Sequence, residues 1–237
     1  MTTPPARHDE TVLDDDLARF TKGLVPIITT RDLIFLDTET ITLEHAANRL
    51  TVWEIYIERH NTAGTIEVAH LFPRHDEYLR NLPDRFEADY NQRVPETDKR
   101  TSAPTTGSVL AQLLRRRGDN PPPIVVGANP AFDTNHLAPY LVEAGATDGS
   151  FFRRLDVEAA CYGAMGTIPG DAAGGLVGLT AALGLPITDA HTAHGDVAMT
   201  KNLYLHVFPG TVLNRAAHPQ LQHLHDHHDH DHDGEGA

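Results

Sequence analysis

The chain has one cysteine, Cys161, among its 237 residues. An internal disulfide and a thiolate metal cluster are therefore excluded, and a reducing compartment is expected. No apolar run reaches the roughly 20 residues that a membrane-spanning helix needs. The N-terminus, Met1-Thr2-Thr3-Pro4-Pro5, lacks the basic-then-apolar order of a secretory leader. A cytoplasmic protein with no membrane partner is expected. Cations are scarce as well, since 19 Lys and Arg stand against 33 Asp and Glu, a formal net charge of −14. Such a balance opposes a protein that coats nucleic acid through its overall charge. The excess is concentrated at the ends, however. Asp9, Glu10, Asp14, Asp15 and Asp16 lie near the start, and Asp226, Asp229, Asp231, Asp233 and Glu235 lie in the stretch from His218 onward, which has no Lys or Arg. The middle is only mildly acidic and can still bind a strand locally.

What is present is the composition of a folded domain, with 40% hydrophobic and 22% charged residues. The length suits one domain with extensions. Leu33-Ile34-Phe35-Leu36 reads as a short strand buried on both faces, and it runs into Asp37-Thr38-Glu39-Thr40. Side chains alternate along a strand, so Asp37 and Glu39 share one side. Paired carboxylates at the end of a buried strand repel and lose solvation unless a cation holds them, and hard divalent ions prefer oxygen ligands. The ordinary alternative is two solvated acids in a turn.

Thr51–Ile57 and Thr65–Phe72 read as a hairpin around Asn61-Thr62-Ala63-Gly64. The polar, Pro-punctuated stretch from Leu71 to Thr106 is too long for an ordinary connection and is expected to cover a cleft. A helix over Ser108–Arg117, a strand at Ile124–Gly127, and helices over Leu155–Met165, Leu176–Leu185 and about Gly195 to Phe208 complete the pattern. The helix opened by Asn129-Pro130 aligns Asp133 with Leu137, Tyr140 and Leu141. The last helix aligns Asp196 with Met199, Thr200, Leu203 and Val207. Each aspartate has a plain explanation in the dipole of its own helix. Two helices that both open their buried face with an aspartate nevertheless point to a shared site. His191 stands five residues ahead of Asp196, in or near the preceding loop. A hairpin followed by alternating helices and strands indicates an α/β domain with a mixed central sheet flanked by helices.

These residues resemble the three motifs of the DEDDh branch of the DnaQ-like, proofreading-type 3′–5′ exonucleases. Asp37-Thr38-Glu39 is similar to the first motif, Asn129-Pro130-Ala131-Phe132-Asp133 to the second, and His191-Thr192-Ala193-His194-Gly195-Asp196 to the third. The tyrosine branch of the family would need Tyr at position 192, where Thr192 stands. Two departures are visible: Thr42 occupies the place of a family glycine, and Ala128 that of a frequent histidine. The resemblance covers residues 30–210 and implies a ribonuclease H-like exonuclease domain there. Residues 1–29 are then an extension with a possible short helix around Leu13–Phe20, and 211–237 a disordered His/Asp-rich tail.

The resemblance further implies two Mg²⁺ or Mn²⁺ ions that stabilise the attacking and leaving oxygens of a phosphodiester. Asp37 would bridge both ions, Glu39 and Asp196 would complete one shell, and Asp133 would hold the second. His191 would be the general base, ahead of His194, which fails on spacing. Substrate contacts would come from Thr38, Thr40, Leu43, Asn129 and Phe132. Single-stranded DNA is the expected substrate and a DNA polymerase a potential partner. The alternatives are a 3′–5′ exoribonuclease and a catalytically silent module of the same fold. Trp53 offers a stacking face, although a half-buried strand residue is the simpler reading. Arg115-Arg116-Arg117 is expected to be a solvated helix end rather than a phosphate site.

Overall fold

A computed structural model describes residues 31–42, 49–146, 153–166 and 174–208. The expected N-terminal extension, Leu43 and the His/Asp-rich tail lie outside the described residues. Among the described residues five strands form one sheet: β1 (Leu33–Thr40), β2 (Val52–His60), β3 (Ile66–Leu71), β4 (Ile124–Gly127) and β5 (Arg154–Asp156), in the order β3-β2-β1-β4-β5. β2 pairs antiparallel with β1 on one side and with β3, its hairpin partner, on the other. β4 and β5 add on in parallel, and each is reached through a helical crossover. The helices are α1 (Asp84–Arg93), α2 (Ala103–Leu114), α3 (Pro130–Glu143), α4 (Val157–Met165), α5 (Gly175–Ala182) and α6 (Ala193–Val207).

β1 lies at the centre because its residues are apolar on both sides. Ile34 and Leu36 enter a core shared with Leu110, Leu114, Leu137 and Tyr140 of α2 and α3. Leu33 and Phe35 enter the opposite core, with Cys161 of α4 and Val197, Leu203 and Tyr204 of α6. The architecture is the expected mixed α/β sheet between helices. α2 and α3 approach so closely at Gly107 that a Cβ there would lie 1.8 Å from the Tyr140 carbonyl oxygen. β2 is tied to α6 by a buried ion pair, in which Lys201 donates to both oxygens of Glu58 at 3.0 and 2.8 Å.

Several expected boundaries move. α2 begins at Ala103, not near Ser108, because Ser102 caps it by accepting the Thr105 N–H and Pro104 fits its first turn. It ends at Leu114, and the carbonyls of Leu113 and Arg115 are taken by the buried Arg59 guanidinium at 2.6 and 2.8 Å. The stretch read as one helix from Leu155 divides into β5 and α4, with Asp156 capping α4 through the N–H groups of Glu158 and Ala159. The segment 71–106 holds two 3-10 turns and α1. It is pinned to the body by the Asn81 N–H on the Ile41 carbonyl (2.9 Å) and by Tyr90 packing against Trp53 and Ile41.

Candidate functional site

Past Leu36 the apolar run of β1 gives way to alternating exposure. Asp37 and Glu39 are half-buried, whereas Thr38 and Thr40 are buried. Since Leu33 and Phe35 face α6, the next odd positions face it too. Asp37 and Glu39 therefore meet the first turn of α6, which carries Asp196. Carboxylate oxygens of Asp37, Glu39 and Asp196 lie within 4.8 Å of one another.

The loop before α6 is shaped to deliver Asp196. Thr192 caps the helix by accepting the Gly195 N–H at 2.9 Å, and its hydroxyl donates to the Asp189 carbonyl at 2.8 Å. Gly195 is required there, because a Cβ would stand 2.2 Å from the Asp189 carbonyl oxygen and 2.5 Å from that of Thr188. His191 adopts a left-handed backbone with φ of 65°, and its N–H donates to Asp196 Oδ1 at 3.1 Å. The centres of its ring and that of Phe86 lie 5.5 Å apart, with the rings nearly perpendicular. His194, on α6 itself, instead sets its ring against Tyr56 at 4.7 Å.

Asp133 reaches the site from the other face of the sheet. It is 3% exposed, and its Oδ1 accepts both the Thr38 N–H at 3.0 Å and the Thr38 hydroxyl at 2.7 Å. Asp133 is thus close enough to Asp37 to act on its charge, although it stands behind the group of three. The remaining expected contact residues are placed as follows. Thr40 is buried with its hydroxyl on the Thr42 carbonyl at 2.8 Å. Asn129 is exposed at the start of α3 with a left-handed φ of 54°, and its side chain makes no capping bond. Phe132 is half-buried with its ring 4.4 Å from that of His136. Trp53 is 3% exposed and packs on Tyr90, a core role. All three arginines lie past the end of α2 at Leu114: Arg117 pairs with Glu67 of β3, and Arg116 bonds the carbonyls of Asp119 and Asn120 in the turn that follows.

The acids compete for protons. Burial, then the charges of Asp133, Asp196 and Glu39, push Asp37 well above the usual carboxylate range. Burial and Asp196 push Glu39 to about 8, against the pull of Arg93. Burial drives Asp133 to about 7 although the Thr38 hydroxyl and N–H favour its charge. Asp196 is raised by burial, and the His191 N–H restrains the rise. Four carboxylates with poor solvation and no thiol among them are a donor set for hard divalent ions, whose charge would relieve this strain. The residues fit such a cofactor.

Sequence reasoning missed two residues beside the acids. Glu54 lies directly across β2 from Glu39 in the strand register and is 2% exposed. Like charges in that position are destabilising. Arg93 of α1 forms an ion pair with Glu54 and stacks over Trp53 at 4.8 Å, while His70 Nε2 takes the other Glu54 oxygen at 2.8 Å. The alternation of Trp53, Ile55 and Ile57 with Glu54, Tyr56 and Glu58 in β2 was the available signal of a polar strand face turned toward α6.

No family model and no curated protein matches the chain. Solved structures match it by fold. E. coli exonuclease I in complex with a dT13 oligonucleotide superposes with a TM-score of 0.55 at 18% identity, covering 83% of this chain and 45% of that one. The complex with dA16 gives 0.54 at 17%, over 82% and 42%. The zinc-bound form with single-stranded DNA gives 0.55 at 17%, again over 82% and 42%. This chain spans less than half the length of those proteins. At such identity the likeness shows the fold, and the chain has the mixed α/β, ribonuclease H-like fold of exonuclease I.

Proposed function

We propose that the chain is a metal-dependent 3′–5′ exonuclease of the DEDDh type that trims single-stranded DNA and releases nucleoside monophosphates. The observation that supports it most is the convergence of Asp37, Glu39 and Asp196 within 4.8 Å at the end of the central strand. Asp133 lies behind them, and His191 adjoins Asp196 in the loop. Two Mg²⁺ or Mn²⁺ ions, when bound, would supply charge stabilisation to the attacking and leaving oxygens. Asp37, Glu39 and Asp196 would hold them on the α6 side, and Asp133, fixed by Thr38, would contribute from the α3 side. His191, exposed at the rim, would take the proton of the attacking water on a ring nitrogen. Asn129 and Phe132, at the start of α3, would meet the terminal nucleotide.

The choice of single-stranded DNA follows the exonuclease I complexes with oligonucleotides; a polymerase partner follows from the motif resemblance alone. A silent module has no reason to retain Asp37, Glu39, Asp133, His191 and Asp196 together. The test is incubation of 5′-end-labelled single-stranded DNA and RNA with Mg²⁺, with Mn²⁺ and with EDTA. The expected result is a ladder shortening from the 3′ end of DNA, dependent on the metal. A ladder on RNA alone would establish the exoribonuclease instead. Absence of cleavage on both, by protein that melts cooperatively, would refute the enzymatic reading.

A further inference from the structure

We propose that α1 braces the His191 loop and that Arg93 is the positioning residue of this brace. The inference rests on the reading of His191 as the general base. Phe86, Asp89 and Arg93 occupy one stripe of α1 at i, i+3 and i+7, the spacing that aligns side chains along a helix face. That stripe is turned to the loop before α6. The ring of Phe86 meets that of His191 edge-on, at an interplanar angle of 83°. Arg93 Nη1 donates to the His191 carbonyl at 2.8 Å and to Asp89 Oδ2 at 2.7 Å, while Nη2 is held by Glu54.

The His191 backbone needs such support. A left-handed φ of 65° is strained for a residue with a Cβ, so the conformation persists only where neighbours hold it. The N–H of His191 is held by Asp196 and its carbonyl by Arg93. The peptide groups on both sides of the ring-bearing carbon are thereby fixed, one from α6 and the other from α1. The placement of the Arg93 donors distinguishes positioning from catalysis. Its Nη atoms bond Glu54, Asp89 and the His191 carbonyl, and its face lies on Trp53. A guanidinium bound in this way sets the place of the loop and does not reach for a phosphate. The covering segment, 98 residues before the loop it touches, thus becomes part of the active site's frame.

A double-mutant cycle on the full chain tests this, with single-turnover rates, KM and the Mn²⁺ concentration for half-activity measured on single-stranded DNA. Arg93→Ala is expected to lower kcat by about 10²-fold, the scale of a misplacement of about 1 Å. KM should change by less than about threefold, and the Mn²⁺ requirement should change as little in Arg93→Lys, which keeps a positive charge near Glu39 and Asp196. Methylguanidinium in solution should restore part of the rate. In a His191→Ala background the same substitution should add less than about twofold, because residues that act as a unit are not additive. Arg93→Lys keeps the charge beside Glu54 and so protects the fold, but a single ammonium cannot span the three acceptors. It should melt near wild type and lose kcat like the alanine variant. A full loss on top of His191→Ala, a loss seen only in the Mn²⁺ requirement, or a fully active Arg93→Lys would overturn the brace. If His191→Ala itself retains wild-type rates, the base assignment fails, and the catalytic meaning of the brace fails with it.

Discussion

His191 and His194 stand three residues apart, and their surroundings assign them different work. His194 sits in the first turn of α6 with its ring against Tyr56, on a helix whose position is set by the core. His191 lies outside the helix, in a backbone conformation that only a special loop sustains, with its N–H on the oxygen of a candidate metal ligand. His191→Ala is expected to slow single-turnover cleavage by about 10²–10⁴-fold, the usual worth of a general base. It should leave the stabilisation by Mn²⁺ intact. His194→Ala should change the rate by less than about fivefold, well under the general-base range. The reverse order of severity would remove His191 from the mechanism. Asp37 and Glu39 were legible at this scale because alternation along a strand is a local rule. Glu54 and Arg93 were not, since their meeting depends on the register of a hairpin and on a helix 39 residues further along the chain. Thr38 shows the limit well. Its own alternation puts it on the face opposite the two acids, where Asp133 waits, but only the packing of α3 reveals that partner.

Among the elements, the seam of α2 and α3 has the least tolerance. Gly107 of α2 lies under the Tyr140 carbonyl, and Tyr140 in turn donates its hydroxyl to the Val52 carbonyl of β2 at 2.9 Å. α3 also carries Asp133 at its other end, so a shift of this seam reaches the site. Gly107→Ala would place a methyl group 1.8 Å from backbone and 2.8 Å from the Ala144 Cβ. Urea denaturation should show a loss of about 1–3 kcal/mol or more, the range for overpacking. Gly163→Ala in α4 is the control. Nothing lies within 4 Å of the added Cβ, and helix propensity favours alanine by about 1 kcal/mol. A Gly107 variant as stable as that control would show that the helices are not in contact there. The long amphipathic helices α3 and α6 and the apolar strands were readable from periodicity. α1 was not read, although Pro83, Asp84, Glu87 and Arg93 mark its ends, because it is mostly polar and Tyr90 is its one buried residue. β5 was missed because three residues are too few to show a period.

Over the whole molecule, one opposition dominates: an acidic chain folds so as to crowd its acids. Without metal, Glu39 at about 8 and Asp133 at about 7, with Asp37 and Asp196 also raised, bind protons more tightly folded than unfolded. Stability from such groups is fully present below about pH 4, the carboxylate range of the unfolded chain, and is lost as the pH rises through the folded values. Other groups slope differently but elsewhere. Burial would raise Glu58, yet the bonds from His60 and Lys201 outweigh it and bring it to about 2, so its contribution is lost only in acid. Burial lowers His70, His75 and His206, so their stabilisation is complete once the pH exceeds about 6.5, the value in the unfolded chain. Burial pushes the Cys161 thiol up to about 12, so it adds a fall of its own only as the pH nears about 8.5, the value of an unfolded thiol. The window from pH 7 to 8 therefore isolates the acid cluster. In EDTA the melting temperature of the wild type should fall across that window, at up to about 1.4 kcal/mol per pH unit for each proton released. Mg²⁺ should flatten the fall and raise the curve, since a ligand of the folded state alone stabilises it by mass action. Asp37→Asn removes one charge at nearly constant volume. It should melt at or above wild type in EDTA at pH 8, gain far less from Mg²⁺, and be inactive. A wild-type profile without slope in EDTA, or a variant that gains as much from Mg²⁺ as wild type, would mean that the four carboxylates do not form one site.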